Sequence, residues 1–362
     1  MLDGEWLAAL TRTAREAGAE GEPEVLSDRA DGPVVRVGDV VAKAHASDTD
    51  DSALRARLGV AADPLLQDVL LPPLTVGGRL LQHHAGRPIT VWQYGIPVDP
   101  DDPDAAPWEH AAALLARLHR SAPRAESGSP RLDRSAAAAP SDPGARRFPH
   151  PRAGDPGQPL PRATGESRLP VAGAPDRVRR AIARLRAATH AHPAAAAAVL
   201  RAHDQLPELE NVPKALVHGD FHLGQLVRAP GGASPALPRE SDTRPHDLAS
   251  GTDLRDQLIN GENPWRLIDV DDLGIGDPVW DLARPAAFFA VGILEPVAWE
   301  RFLGAYRRRG GPAVSSQSNE WAALDLPARA LVVQHAALAV VKAGAALDDL
   351  DTALIDACVR MS

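Results

Sequence analysis

The sequence predicts an α+β protein of two lobes, a small β-rich N-lobe and a larger, mostly helical C-lobe. Three observations predict it. The first 95 or so residues alternate short apolar runs with turn residues around one helical stretch. From position 107 onward, apolar residues recur at helical spacing. Between them lies PVDPDDPDAAP, a Pro/Asp connector. We therefore expect an N-lobe over 1–92, a hinge and connector over 93–106, and a C-lobe over 107–362.

Each element has a local reason. Trp6, Leu7, Leu10 and Ala14 make one face of a first helix. EVLSDRADGPVVRVGDVVAKAHA reads as three strands with turns near Ala30-Asp31-Gly32 and Gly38-Asp39. DSALRARLGVAA suits a helix, and LPPLTVGGRLLQHHAGRPITVWQYG gives further strands with turns at Gly77-Gly78 and Gly86. WEHAAALLARLHR places Leu114, Leu115 and Leu118 on one helical face. Residues 121–173 are rich in Pro, Ala, Gly, Arg and Ser, with too little apolar surface to offset ordering entropy, and are expected as a flexible insertion. A second polar insertion is expected at 229–263. WRLIDVDDLGIGDP returns to strand and turn, and helices follow from Val279 to the end.

Composition narrows the function. The chain has 362 residues, 44% hydrophobic, enough for a real core. A net charge of −9 argues against phosphate-backbone binding, so no nucleic-acid partner is expected. The single cysteine, Cys358, gives neither a disulfide framework nor a cysteine metal site, and a reducing cytoplasm is the expectation. The first residues do not read as a signal peptide, and ARPAAFFAVGIL and LVVQHAALAVV read as buried helices rather than membrane spans.

The chemistry concentrates in LVHGDFHLGQLV and LIDVDDLGIGDP. Asp220 follows His218-Gly219 at the end of a predicted strand, where a carboxylate can receive a hydroxyl proton. Gln225 offers a hard carbonyl oxygen on the same loop, suited to Mg²⁺. Asp269 ends another short strand and supplies a second hard ligand. A base and an amide on one strand end, with a carboxylate on another, make the metal-and-base half of a phosphoryl-transfer site.

HGDFHLGQ followed by LIDVDDLGIGDPVWDLA resembles the aminoglycoside phosphotransferase superfamily, the small-molecule branch of the protein-kinase-like fold, and LLARLH at 114–119 is similar to that family's first C-lobe helix. HLGQ resembles the maltokinase and glucosamine kinase branch. The resemblance implies ATP and Mg²⁺ as cofactors. Asp220 would align the acceptor hydroxyl, Gln225 and Asp269 would hold the metal, and Lys43 in VVAKAH would meet the α- and β-phosphates. The hinge, Gln93, Tyr94, Gly95 and Ile96, would read adenine through its backbone. Asp281 and His218 would brace the catalytic loop.

Two departures stand out. The helix after Lys43 lacks a Glu, leaving Asp51, Asp50 or Asp48 as partners for the lysine. The phosphate loop has one glycine, Gly32, so Lys43, Mg²⁺ and Arg29 carry more of the phosphate binding.

Blander readings stand beside these. Asp220 alone is also a common turn residue, and Lys43 alone an edge-strand charge. His222 fits a loop hydrogen bond or a substrate contact. Asp271 and Asp272 fit a solvated turn or an acceptor amine, and Trp299, Trp321 and Gln334 fit helical core or a sugar platform. The expected activity is transfer of the ATP γ-phosphoryl group to a sugar hydroxyl, glucosamine being preferred because Asp271, Asp272 and Asp277 are acidic. The alternatives are a maltokinase, an aminoglycoside phosphotransferase using Asp348, Asp349 and Asp351 as well, and a silent binding module. A monomer or weak dimer with no membrane partner is expected.

Overall fold

Why Lys43 faces a cleft while its neighbours face a core is set by strand alternation in the N-lobe. In the computed structural model, which describes residues 2–29, 32–121, 169–189, 191–210, 212–229, 264–315, 319–344 and 346–362, β3 (Val40–Ala44) buries Val40, Ala42 and Ala44. Its other face carries Val41 and Lys43. β1 (Pro23–Ser27), β2 (Val34–Val37), β3, β6 (Arg87–Gln93) and β4 (Pro73–Leu74) follow in that order, with β5 (Gln82–His84) also on β6, all antiparallel. Helix α1 (Gly4–Glu16) covers one face. It starts at Asp3, whose carboxylate accepts the Glu5 N–H at 3.1 Å. It buries Leu10 and Ala14 against Val35, Val37, Ile89 and Val91. Full burial of a residue like Leu10 contributes about 1.5–3 kcal/mol.

Helix α2 (Asp51–Ala61) begins at Asp50, which accepts from Ser52 N and Ala53 N at 2.8 and 3.2 Å. It buries Leu54 and Leu58 in the larger core of the C-lobe rather than in the sheet's own core. The crossover comes at Tyr94-Gly95. β6 ends at Gln93, and β7 (Ile96–Pro97) pairs with a C-lobe strand, β9 (Leu226–Arg228). Gly95 passes so close to Val227 that a Cβ there would lie 2.5 Å from its Cγ2.

The C-lobe helices are α3 (Trp108–Arg120), α4 (Ala174–Ala187), α5 (Pro193–Asp204), α6 (Val279–Ala290), α7 (Pro296–Arg308), α8 (Trp321–Lys342) and α9 (Asp349–Met361). α8 is the pillar, packed on α4, α5, α6 and α9. By length and composition it could cross a membrane, with a mean hydropathy of 1.4, but 61% of that stretch is buried inside the fold. The sequence marked only its middle as apolar. Two strand pairs present the loops that matter: β8 (Ala215–Val217) with β11 (Gly274–Gly276), and β9 with β10 (Trp265–Leu267).

The two insertions lie mostly outside the described residues, and the structure trims the first. Pro170 to Ala172 run along β11, with Ala172 N–H on Ile275 O and Ile275 N–H on Pro170 O, both at 3.0 Å. Ala172 is buried, so 169–173 belong to the folded body. The second insertion joins two paired strands, and its ends meet where Ala229 N–H donates to Pro264 O at 2.9 Å.

Candidate active site

β8 ends in His218-Gly219-Asp220, and the turn is held from below by one carboxylate. Asp281, on α6, accepts His218 N–H on Oδ2 at 2.7 Å and Gly219 N–H on Oδ1 at 2.8 Å. His119 Nε2 donates to the same Oδ2 at 2.9 Å. His119 Nδ1 takes the Tyr306 hydroxyl at 2.7 Å, and that oxygen accepts Ala313 N–H at 3.1 Å. Burial opposes the charge on Asp281, yet the bonds from His119 and His218 hold its carboxyl below the usual carboxylate range. Gly219 sits at φ +85°, and a Cβ there would lie 2.2 Å from the Asp272 carbonyl oxygen. Gly219→Ala is therefore expected to part the two loops, costing on the order of 1–3 kcal/mol and most of the activity. Its Tm and kcat, measured beside those of Gly224→Ala, test this.

The second loop is stitched to the first. His218 Nε2 meets Ile268 O at 2.8 Å, and Ile268 N–H donates to Gln225 O at 2.9 Å. Gln225 is buried, and its side-chain amide donates to Asp269 Oδ2 at 3.2 Å. Asp269 adopts a left-handed backbone, φ 62° and ψ 70°, uncommon outside glycine and often found at functional sites.

Lys43 completes this half. Its Nζ lies 2.7 Å from Asp269 Oδ1 and 2.8 Å from Asp271 Oδ2. Burial favours loss of its proton, but Asp271 and Asp269 outweigh it and hold Lys43 above the ordinary lysine value. Asp271 is held well below the carboxylate range, burial being overcome by Lys43 and His45. The lysine partner expected on α2 is therefore corrected. Asp51 instead meets His83 at 2.7 Å and Arg55 at 3.4 Å. α2 sends Arg57 to the Leu273 carbonyl at 2.9 Å.

Two carboxylates converge here, Asp269 and Asp271, with the Gln225 side-chain amide donating to Asp269. Among the described residues no group of three or more His, Cys, Asp or Glu forms a metal cage. Mg²⁺ ordinarily takes one or two carboxylates and completes its shell with phosphates and water, so this donor set fits it.

Asp220 has two arginine partners that sequence reasoning missed. Arg284 Nη2 lies 2.5 Å from Oδ1, and Arg177 Nη2 lies 2.8 Å from Oδ2. Arg177 also meets Asp272 Oδ2 at 2.5 Å. Burial, with Asp272 nearby, raises the Asp220 carboxyl above its ordinary value, while Arg284 and Arg177 pull it down. The signal for Arg284 lay in VWDLARPAAFFA, where it is the lone cation, three residues past Asp281 and so on the same helical side. Arg177 carried no such signal, because DRVRR reads as a solvated helix start.

Other expected residues fall elsewhere. Trp299 is buried and stacks on Phe289 at 5.4 Å, Trp321 is half-buried 6.2 Å from the same ring, and neither lines the cleft at Asp220. The aromatic wall near Asp220 is Trp280. Gln334 does line that cleft. His222 Nδ1 accepts Gly224 N–H at 3.1 Å, capping the turn over Leu223–Gln225. Burial, then Arg284 and His218, push its pKa down to about 3, so it is neutral at pH 7. Arg29 is exposed on the β1–β2 turn. Gly32 N–H closes that turn on Arg29 O at 3.1 Å. At the hinge, Tyr94 N–H is taken by Asp39 O at 2.7 Å, which withdraws that donor from adenine, and Arg36 covers the Tyr94 ring at 3.6 Å.

The acidic residues expected to greet an amine are engaged with the protein's own cations. Asp271 holds Lys43, Asp272 holds Arg177, and Asp277 meets Lys214 at 2.6 Å. Asp348 caps α9 through Asp351 N–H at 2.7 Å.

No protein-family model and no curated protein matches the sequence. Solved structures do match. A choline/ethanolamine kinase family protein from Mesorhizobium loti is 16% identical, covering 100% of this chain and 95% of that one, with a TM-score of 0.51. The fold is protein-kinase-like. Choline kinase from Cryptosporidium parvum Iowa II aligns at 9% identity over 94% of this chain and 88% of its own, also with a TM-score of 0.51. An aminoglycoside phosphotransferase from Streptomyces rimosus, 16% identical, covers 92% of this chain and 99% of its own at 0.45. Within this kinase-like fold, the β6–β7 crossover and the two stitched loops occupy the junction between lobes.

Proposed function

We propose that this protein is an ATP-dependent kinase that phosphorylates a hydroxyl group of a small, sugar-sized acceptor. The observation that carries the reading is the stitched pair of loops: His218 joins the Asp220 turn to the loop that carries Asp269, and Asp269 meets both Gln225 and Lys43. Phosphoryl transfer needs little covalent help from a protein; positioning and charge stabilisation do most of the work.

The residues divide the task. Lys43 meets nucleotide phosphates, exchanging Asp269 and Asp271 for them. Asp269, with Gln225 beside it, would hold Mg²⁺, which would supply charge neutralisation at the phosphate oxygens. Asp220 orients the acceptor hydroxyl and takes its proton as that oxygen bonds to the γ-phosphorus and the bond from phosphorus to the bridging oxygen breaks, releasing ADP. Asp281 acts through backbone N–H groups and keeps the Asp220 turn in register.

An amino sugar such as glucosamine loses its motive, since Asp271, Asp272 and Asp277 are engaged. The cleft at Asp220 is lined by Arg177, Phe221, Trp280, Arg284, Leu331 and Gln334. ADP release with Mg-ATP over a panel of polyols, sugars and sugar acids tests the reading. Turnover of at least one is expected. No turnover, together with no Mg-nucleotide-dependent rise in Tm, would sink it and favour the silent binding module.

A further inference from the structure

We infer that the acceptor carries an anionic group, a carboxylate or a phosphate, which Arg177 and Arg284 bind beside the Asp220 carboxylate; this rests on the phosphoryl-transfer reading. The argument starts from the geometry of Asp220. Both of its oxygens are taken, Oδ1 by Arg284 at 2.5 Å and Oδ2 by Arg177 at 2.8 Å. A hydroxyl that is to be aligned by Asp220 needs one of those oxygens. Each carboxylate oxygen accepts more than one hydrogen bond, so a hydroxyl aligned by Asp220 enters beside two guanidiniums whose side chains are only 12% (Arg284) and 26% (Arg177) exposed. An oxyanion on the acceptor suits those neighbours, and a planar fork matches a carboxylate or phosphate in two parallel bonds.

Three further observations point the same way. First, the charged side chains that line the cleft are Arg177, Arg284 and Asp220, two cations to one anion. A cationic acceptor would enter against that excess. Second, Arg284 Nε is buried without a hydrogen-bond partner beside the cleft. Third, Gln334 is only 2% exposed and lines the cleft, and its Oε1 has no partner. A buried acceptor of this kind is costly to leave unmatched, and a second hydroxyl of the substrate satisfies it. Burial, Arg284 and Arg177 also keep the neighbouring His335 neutral, its pKa pushed down to about 3. The cleft places these groups with Trp280 and Leu331 on the helical side of Asp220. Lys43, Asp269 and Asp271 do not line it, so it is the acceptor side rather than the nucleotide side.

The test uses the full chain with Mg-ATP and matched acceptors: gluconate against glucose, glycerate and glycerol phosphate against glycerol, with choline and glucosamine as cations. The inference expects an anionic member to exceed its neutral counterpart in kcat/KM by on the order of 30-fold, and the carboxylate and phosphate arms identify the source. Arg177→Gln and Arg284→Gln should shrink that gap to about threefold or less by raising acceptor KM, leaving the KM for ATP unchanged. Arg177→Lys should restore part of it. A wild-type preference for glucose, glycerol, choline or glucosamine overturns the inference. So does a rise in the KM for ATP with charge preference intact, which would assign the arginines to the γ-phosphate. If turnover is too slow to measure, titration of the same anions into the Mg-ADP-bound protein decides. Heat that is lost in Arg177→Gln upholds the inference, and no anion binding overturns it while the Mg-ADP rise in Tm keeps the kinase reading alive. Absence of that rise removes both.

Discussion

Asp220→Asn is expected to lower kcat by about 10²–10⁴-fold while leaving the affinity for Mg-ADP close to that of the parent. The substitution keeps the shape of the side chain but removes the charge that takes the acceptor proton. It also leaves Arg177 and Arg284 without their carboxylate, so a modest change in Tm accompanies the loss. Steady-state ADP release and a thermal shift with and without Mg-ADP separate the two effects. A kcat within a few-fold of the parent would remove Asp220 from the reaction. The pH profile is a second check. Burial raises the Asp220 carboxyl against the pull of Arg284 and Arg177. Activity needs the carboxylate, so the acidic limb of kcat/KM should lie above the ordinary Asp value of about 4. Removing Arg284 withdraws a favourable charge and should move that limb further up, not down.

Asp281→Ala is expected to have the largest effect on stability, about 3–5 kcal/mol, out of a total of about 5–15 kcal/mol for a typical domain. It would strand three donors at once: His218 N–H, Gly219 N–H and His119 Nε2–H. Both partners of the His119–Asp281 pair are fully buried, so water cannot replace the lost acceptor. Denaturant unfolding measures it, with Tyr306→Phe as a milder cut at the far end of the chain of bonds. The sign with pH follows from the lowered carboxyl. The folded-state value lies below the unfolded one, so the contribution is full above about pH 4 and drains away as pH falls through the folded value. An unfolding free energy unchanged in Asp281→Ala would show that the loop holds itself.

What was legible in the sequence divides along physical lines. Strand alternation placed Lys43 opposite Val40, Ala42 and Ala44, because a period of two is local. Turn glycines and the helical spacing of Leu114, Leu115 and Leu118 were local too. The loops at 218–225 and 269–272 could be located because polar residues broke otherwise apolar strands. Partnerships across the fold were not legible. Lys43 reaches Asp271 over a separation of 228 residues, and nothing nearby distinguishes Asp271 from Asp51 as its partner. Arg177 lies among five arginines within 177–186, and only the packing of α4 on α8 selects it for Asp220. Trp299 and Trp321 were ambiguous because helical aromatics serve cores and binding walls alike, and only burial separates the two.

The Lys43 bridge has a bearing on how tightly any nucleotide is held. Without ligand, the ammonium already joins the N-lobe sheet to the Asp269–Asp271 loop, at 2.7 and 2.8 Å. A polyphosphate entering the junction is therefore a competitor for an occupied cation, and it gains only the difference between its own attraction and that of the two carboxylates. On the proposed kinase reading, a metal ion held by Asp269 would draw it away from the lysine, so ion and nucleotide would each ease the entry of the other. That coupling would rest on the two carboxylates that share one ammonium.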